Sequence, residues 1–191
     1  METLTTLRAQ KKAVTRRSLA AAALRLAMER GLDGVTVEDI ADAAGVSRRT
    51  FSNYFAGKED AVLEAERERT RALVALVAAR PAEEEPWPAL RAATARLYAT
   101  WPVPDLEWMA QLRMLRRHPS LLARQVGDQV AVERDLTEVL VARGPDPELA
   151  RLTAATFFAV LRTGVALWLE GADEPLPDLV DRLLGRCGIS C

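Results

Sequence analysis

The sequence is poor in several residues that particular functions require. Its 191 residues contain one histidine, His118, and two cysteines, Cys187 and Cys191, both at the C-terminal end. A lone histidine beside Pro119 cannot be joined to a nucleophile and an orienting acid, and two cysteines with no histidine nearby do not make a zinc site. No catalytic residue, metal or cofactor is expected, and the sparse terminal thiols suggest a reducing cytoplasm. The opening METLTTLRAQKK has no apolar run that could serve as a signal peptide. Gly57-Lys58 lacks both the upstream glycine and the following Ser or Thr of a phosphate-binding loop. Lysine is nearly missing, with only Lys11, Lys12 and Lys58, and the 26 basic residues are balanced by 27 acidic ones. That balance excludes a globally basic protein, so any nucleic-acid surface has to be local.

Strand patterning is missing as well. No segment alternates polar and β-branched residues, whereas helical spacing runs through almost the whole chain, so the fold class is all-α. From Thr15 to Arg30 the apolar positions Leu19, Ala22, Ala23, Leu26 and Ala27 fall on one helical face, and Gly31 supplies a stop. Thr36 is positioned to cap a second helix, with Asp39 three residues on, that ends at Gly45. Ser47 caps a short third helix through Tyr54 or Phe55, and a fourth runs from Lys58 to near Arg80, where Pro81 ends it. Breaks at 101–105, 117–120, 143–147 and 171–177 divide the remainder, for about nine helices in all. Leu152 to Leu169 approaches membrane length, but Arg162 near its middle and three threonines assign it to a buried core or interface helix.

The segment GVSRRTFSNYFAGK, residues 45–58, carries the most chemistry. At about 100° per residue, Phe51 and Phe55 share a face while Arg49, Ser52 and Asn53 lie opposite, with Arg48 and Thr50 on the flanks. Burying the phenylalanines turns the arginines outward. Two helices joined by a tight glycine turn, the second offering Arg, Thr, Ser and Asn near its start, form a helix-turn-helix unit. Arginine can donate two hydrogen bonds to guanine O6 and N7, which makes Arg48, Arg49, Thr50, Ser52 and Asn53 the base-reading candidates. Thr36, Ser47, Tyr54 and Lys58 are placed to anchor phosphates. Arg8, Lys11, Lys12, Arg16 and Arg17, with no acid between positions 3 and 28, form a basic arm for the DNA backbone or minor groove. On the residues alone, the alternative is a solvated pair of arginines on one helix of a bundle that binds a small molecule or another protein without reading DNA.

The run ALRLAMERGLDGVTVEDIADAAGVSRRTFSNYFAGKEDAVL, residues 23–63, resembles the DNA-binding domain of the TetR (tetracycline repressor) family of bacterial transcriptional regulators. The resemblance lies in Gly-x-x-x-x-Thr before the second helix, Ile-Ala-x-Ala-Ala-Gly-Val-Ser across the turn, and Thr-Phe-x-x-Tyr-Phe-x-x-Lys-Glu-Asp after it. It implies phosphate contacts at Thr36, Tyr54 and Lys58 and base contacts at Arg48, Arg49, Thr50 and Ser52. Many members carry an aromatic residue where Ser52 stands, so base reading here is expected to rest more on the two arginines.

The same resemblance implies a DNA-binding domain over 1–58 and a helical domain over 59–191 that holds a small-molecule effector and forms a homodimer. Ala155, Ala159, Val160, Gly164, Leu167, Leu179 and Leu183 suit close helix packing and are the expected dimer interface. Candidate effector contacts are Tyr98, Trp101, Trp108, Met109, Met114 and Phe157, with Gln111, Arg113 and Gln125 as polar partners. The expected function is a cytoplasmic, homodimeric repressor, not an enzyme, that binds a palindromic double-stranded DNA operator and is released by a small molecule.

Overall fold

The computed structural model describes residues 2–100, 112–114 and 117–187, with residues 2–6 and 9 described by their backbone alone. No strand occurs among them. Eight helices are bounded among the described residues: α1 (Glu2–Arg30), α2 (Val37–Ala43), α3 (Arg48–Ser52), α4 (Lys58–Ala78), α5 (Pro86–Thr100), α6 (Pro119–Val141), α7 (Pro147–Leu169) and α8 (Leu176–Arg186). Further helical residues at 112–114 and 117 lie between the expected breaks at 101–105 and 117–120.

α1 begins at Glu2 rather than at Thr15. Its start has little apolar periodicity, but it contains no glycine or proline before Gly31, and good helix formers continue the helix without a buried face. The Thr15 hydroxyl donates back to the Lys11 carbonyl at 3.0 Å within this continuous helix. The basic arm is therefore a helical extension. Prolines open α5, α6 and α7, where a missing N–H costs nothing, and Asp146 caps α7 through the amides of Glu148 and Leu149.

The chain divides into two compact units, residues 1–68 with 110–125, and residues 69–109 with 126–191. In the first, α1, α2 and α3 bury Leu19, Leu26, Ile40 and Phe51, and the Phe51 and Phe55 rings lie 5.7 Å apart. Asp60 at the start of α4 accepts from Arg67 at 3.1 Å and from Arg124, at the start of α6, at 2.6 Å. This ion-pair cluster ties the start of α6 to the unit that contains α3.

In the second unit, Trp87, Leu90, Leu136, Leu140, Phe157 and Val180 belong to one buried cluster. Trp87 meets Phe157 edge-on at 6.4 Å and donates its indole N–H to the Leu184 carbonyl at 2.9 Å. Arg143 donates to the carbonyls of Arg80, Pro81 and Glu84, capping the end of α4 and its following turn. α7 is long and apolar enough to cross a membrane, yet Phe157, Phe158 and Gly164 are buried against this core. Arg162, the one charge in its apolar run, reaches Glu133 of α6 at 3.6 Å.

Three expected dimer contacts are located differently. Val160, Gly164 and Leu179 are buried inside the protomer. A Cβ on Gly164 would come within 2.8 Å of Val180 Cγ2, so the small residue serves the packing of α7 on α8 of the same chain. Small residues permit close helix approach but do not specify whose helix approaches. Ala159 and Leu167 remain exposed, and Ala155 and Leu183 are half-buried.

Candidate nucleic-acid interface

The interface is assembled from three short structural devices. Thr36 is extended ahead of α2 and forms a reciprocal capping box with Asp39: its hydroxyl accepts from the Asp39 amide at 3.1 Å, and its own amide donates to Asp39 Oδ2 at 2.9 Å. The Thr36 hydroxyl also donates to that carboxylate at 2.6 Å. The hydroxyl first, and then the amide, hold the Asp39 carboxyl below the usual carboxylate range.

The turn after α2 is a Schellman motif. The Gly45 amide donates to Asp42 O at 3.0 Å and the Val46 amide to Ala41 O at 2.9 Å, with Gly45 at φ +68°. Only glycine adopts that conformation without a Cβ penalty, and it turns the chain sharply enough for Ser47 to begin capping α3 at once. The Ser47 hydroxyl accepts from the Thr50 amide at 3.1 Å and lies 2.9 Å from the Thr50 hydroxyl.

α3 has only five residues and depends on tertiary support. Phe51 and Phe55 point inward, and Arg48, Arg49, Ser52 and Asn53 are exposed, with Thr50 and Tyr54 half-buried. Of the expected base-reading residues, Arg48, Arg49 and Ser52 are exposed on α3, Thr50 is half-buried on it, and Asn53 is its exposed C-cap. Arg48 is not solitary, however: its Nη1 lies 2.8 Å from Glu38 Oε1 on α2. Glu38 was not among the expected functional residues, because nothing in a linear pattern reports a contact across the turn.

A third device holds α3 from behind. Arg16 donates from Nε and Nη2 to both oxygens of buried Glu64, each at 2.7 Å, and from Nη1 to the Tyr54 carbonyl at 3.2 Å. Its guanidinium also lies over the Phe55 ring, 4.7 Å from the centroid. Arg16, expected on a DNA-facing arm, is instead an internal brace; Glu64 was also missed, since a charge pair 48 residues apart has no local signal. Arg17 pairs with Glu68 at 2.6 Å, whereas Arg8, Lys11 and Lys12 are exposed along α1. Lys58 donates to the Leu32 and Val35 carbonyls, both at 2.9 Å, and so fastens the α1–α2 loop to α4.

The expected effector residues are less concentrated. Phe157 is fully buried between Trp87 and Phe158, and Tyr98 packs against the same core. Arg113 is exposed, and Met114 and Gln125 are half-buried in the first unit. Trp101, Trp108, Met109 and Gln111 lie outside the described residues. A surface groove of about 410 Å³, lined by Trp87, Arg91, Asp181 and Leu184, contains none of the expected contacts.

A family model described as "Bacterial regulatory proteins, tetR family" matches residues 19–65, and one described as "MftR C-terminal domain" matches residues 84–188. The chain is 33% identical over 183 residues to the HTH-type transcriptional regulator TcmR of Streptomyces glaucescens, covering 91% of this chain and 81% of that protein. Among solved structures, the fatty acid degradation regulator FadR from Bacillus halodurans aligns with a TM-score of 0.57 at 22% identity, covering 90% of this chain and 93% of its own. The multidrug binding protein EbrR, solved with malachite green, aligns with a TM-score of 0.54 at 22% identity over 90% and 96% of the two chains. These two structures share the fold. With one family model on the reading head, another across most of the remaining chain and a relative matched nearly end to end, the chain belongs to the TetR family of bacterial regulatory proteins: DNA-binding transcriptional regulators with a C-terminal ligand-binding domain.

Proposed function

We propose that this regulator is a homodimeric cytoplasmic repressor whose α3 helices enter successive major grooves of a palindromic operator and are withdrawn when a small molecule binds the C-terminal domain. The observation that carries the reading is the exposure of Arg48 and Arg49 on a short helix projected by a Schellman turn and anchored by two buried phenylalanines. Arg48 and Arg49 read guanine edges, with Thr50, Ser52 and Asn53 contributing shorter contacts. Lys58 has a third N–H for a phosphate beyond its two carbonyl partners, whereas Thr36 meets one only by releasing Asp39. Arg8, Lys11 and Lys12 extend the electrostatic contact along α1, and Arg16 has no part in it.

The dimer is formed through the outer face of α7. Leu152, Ala155, Ala159, Thr163 and Leu167 recur at helical spacing, and Leu152 and Leu167 are 58% and 41% exposed despite being large and apolar. A two-fold dimer places its reading helices about 34–36 Å apart, one turn of DNA. An effector that favours another separation by about 5.5 kcal/mol converts an almost fully bound operator to an almost fully free one.

Selection from a random-duplex pool, followed by a salt series on the selected DNA, tests the reading. A palindromic site with steeply salt-dependent affinity is expected, together with loss of preference in Arg48→Ala/Arg49→Ala at unchanged unfolding midpoint. Retained preference in that variant would sink the assignment of α3 as the reader.

A further inference from the structure

Glu38 forms an ion pair with the arginine expected to read bases, and it does so from the other helix of the reading unit. Arg48 and Glu38 are both exposed, their side chains 71% and 52% accessible, and their 2.8 Å contact crosses from α3 to α2. Such a pair contributes little to stability. Its consequence is electrostatic and geometric: the carboxylate lies nearest Nη1, and the Nε–Nη2 edge, which carries the fork needed for a bidentate acceptor, makes no hydrogen bond to the protein among the described residues.

We infer that Glu38 is a specificity-determining residue that holds Arg48 for guanine and withholds it from phosphate; the inference rests on the proposed role of α3. The same fork fits a phosphate, but a phosphate there brings a second anion beside the Glu38 carboxylate, and the like-charge repulsion offsets much of its gain. Guanine O6 and N7 accept from the open edge while Glu38 stays in place. The carboxylate therefore lowers sequence-blind binding more than it lowers operator binding. Arg49, for which no partner is found among the described residues, lacks this restraint and contributes to both. Asp42, one helical turn beyond Glu38 on α2 and exposed, carries the same charge without a contact to Arg48 among the described residues, which makes it the control for net charge.

The test uses the full-length protein, the duplex that wild type selects from a random pool, and a shuffled duplex of equal composition. Glu38→Gln is expected to tighten binding to the shuffled duplex by roughly three- to tenfold, to steepen its log-affinity against log-salt slope by about 0.9, and to lower the selected-to-shuffled ratio by a similar factor. Asp42→Asn is expected to shift both affinities by a common factor and preserve the ratio. In an Arg48→Ala background, Glu38→Gln is expected to leave the ratio where Arg48→Ala put it. An unchanged ratio in Glu38→Gln, the same ratio change in Asp42→Asn, or persistence of the Glu38→Gln effect without Arg48 would each overturn the inference. If wild type selects no duplex, the reader itself falls and the inference with it. If wild type selects a site and Arg48→Ala loses it while Glu38→Gln keeps the full ratio, only the inference falls.

Discussion

Arg16 and Arg48 both border α3, and their surroundings give them opposite consequences. Arg16 is bonded on three of its donors to a buried carboxylate and a backbone carbonyl, so removing it takes two charge-assisted hydrogen bonds from buried Glu64. Hydrogen bonds to charged groups contribute about 1.5–3 kcal/mol, and the Arg16 side chain, 35% exposed, belongs in the lower part of that range. Arg16→Ala is expected to lower stability by about 1.5–2 kcal/mol, read as a lower urea midpoint at unchanged slope. Arg48→Ala is expected to stay within about 0.5 kcal/mol of wild type in the same assay, because its ion pair is solvated.

Acid sensitivity is also set by single residues. Hydrogen bonding from Thr36, from Arg80, from Arg91 and from Arg182 lowers the carboxyl pKa values of Asp39, Glu84, Asp181 and Glu174 respectively. A lowered folded-state pKa means that the unfolded chain takes up protons first on acidification. The stabilisation is thus present above the ordinary carboxylate range and is lost as pH falls through and below it. Urea midpoints measured across that range should fall less steeply in Asp39→Asn than in wild type; equal slopes would show that the capping carboxylate is not responsible.

At the scale of the elements, two glycines determine how helices meet. Gly45 needs positive φ to close α2, and any side chain there adopts a conformation costing about 1–2 kcal/mol. Gly45→Ala is therefore expected to lower the melting temperature and to weaken DNA binding, because the same turn sets the angle at which α3 projects. Gly164→Ala introduces a Cβ 2.8 Å from Val180 Cγ2 and is expected to cost about 1–3 kcal/mol through overpacking. The two are separable by DNA affinity measured well below the melting transition, which Gly164→Ala should leave nearly unchanged. Helix ends at proline and glycine were legible in the sequence because these residues act through their own backbone. The start of α1 was not, since a helix made by propensity alone carries no apolar stripe to mark it.

For the whole molecule, the exposed apolar stripe of α7 is the surface through which the proposed dimer forms. A charge placed within it, as in Ala159→Arg or Leu167→Glu, is expected to convert a dimer to monomers by sedimentation. Affinity for the palindromic site should then fall by roughly 10²–10⁴-fold, the loss that follows when two linked contacts become independent. A dimer that survives both substitutions would place the interface elsewhere. The stripe also shows where pattern reading reaches its limit: apolar and small residues around α7 are visible in sequence, but the division between an inner face toward α8 and an outer face is not.

The amino-acid sequence by itself determined the helical class, the caps and turn around α3, and the outward display of Arg48 and Arg49, because each follows from interactions among residues a few positions apart. Tertiary structure alone decided that Arg16 would brace Glu64, that Glu38 would hold Arg48, that residues 110–125 would join the unit containing α3, and that Gly164 would face Val180. Each of these depends on which segments meet after folding. Charge pairing and steric fit act over a few ångströms in space, so residues far apart in sequence acquire such roles only once the helices have packed.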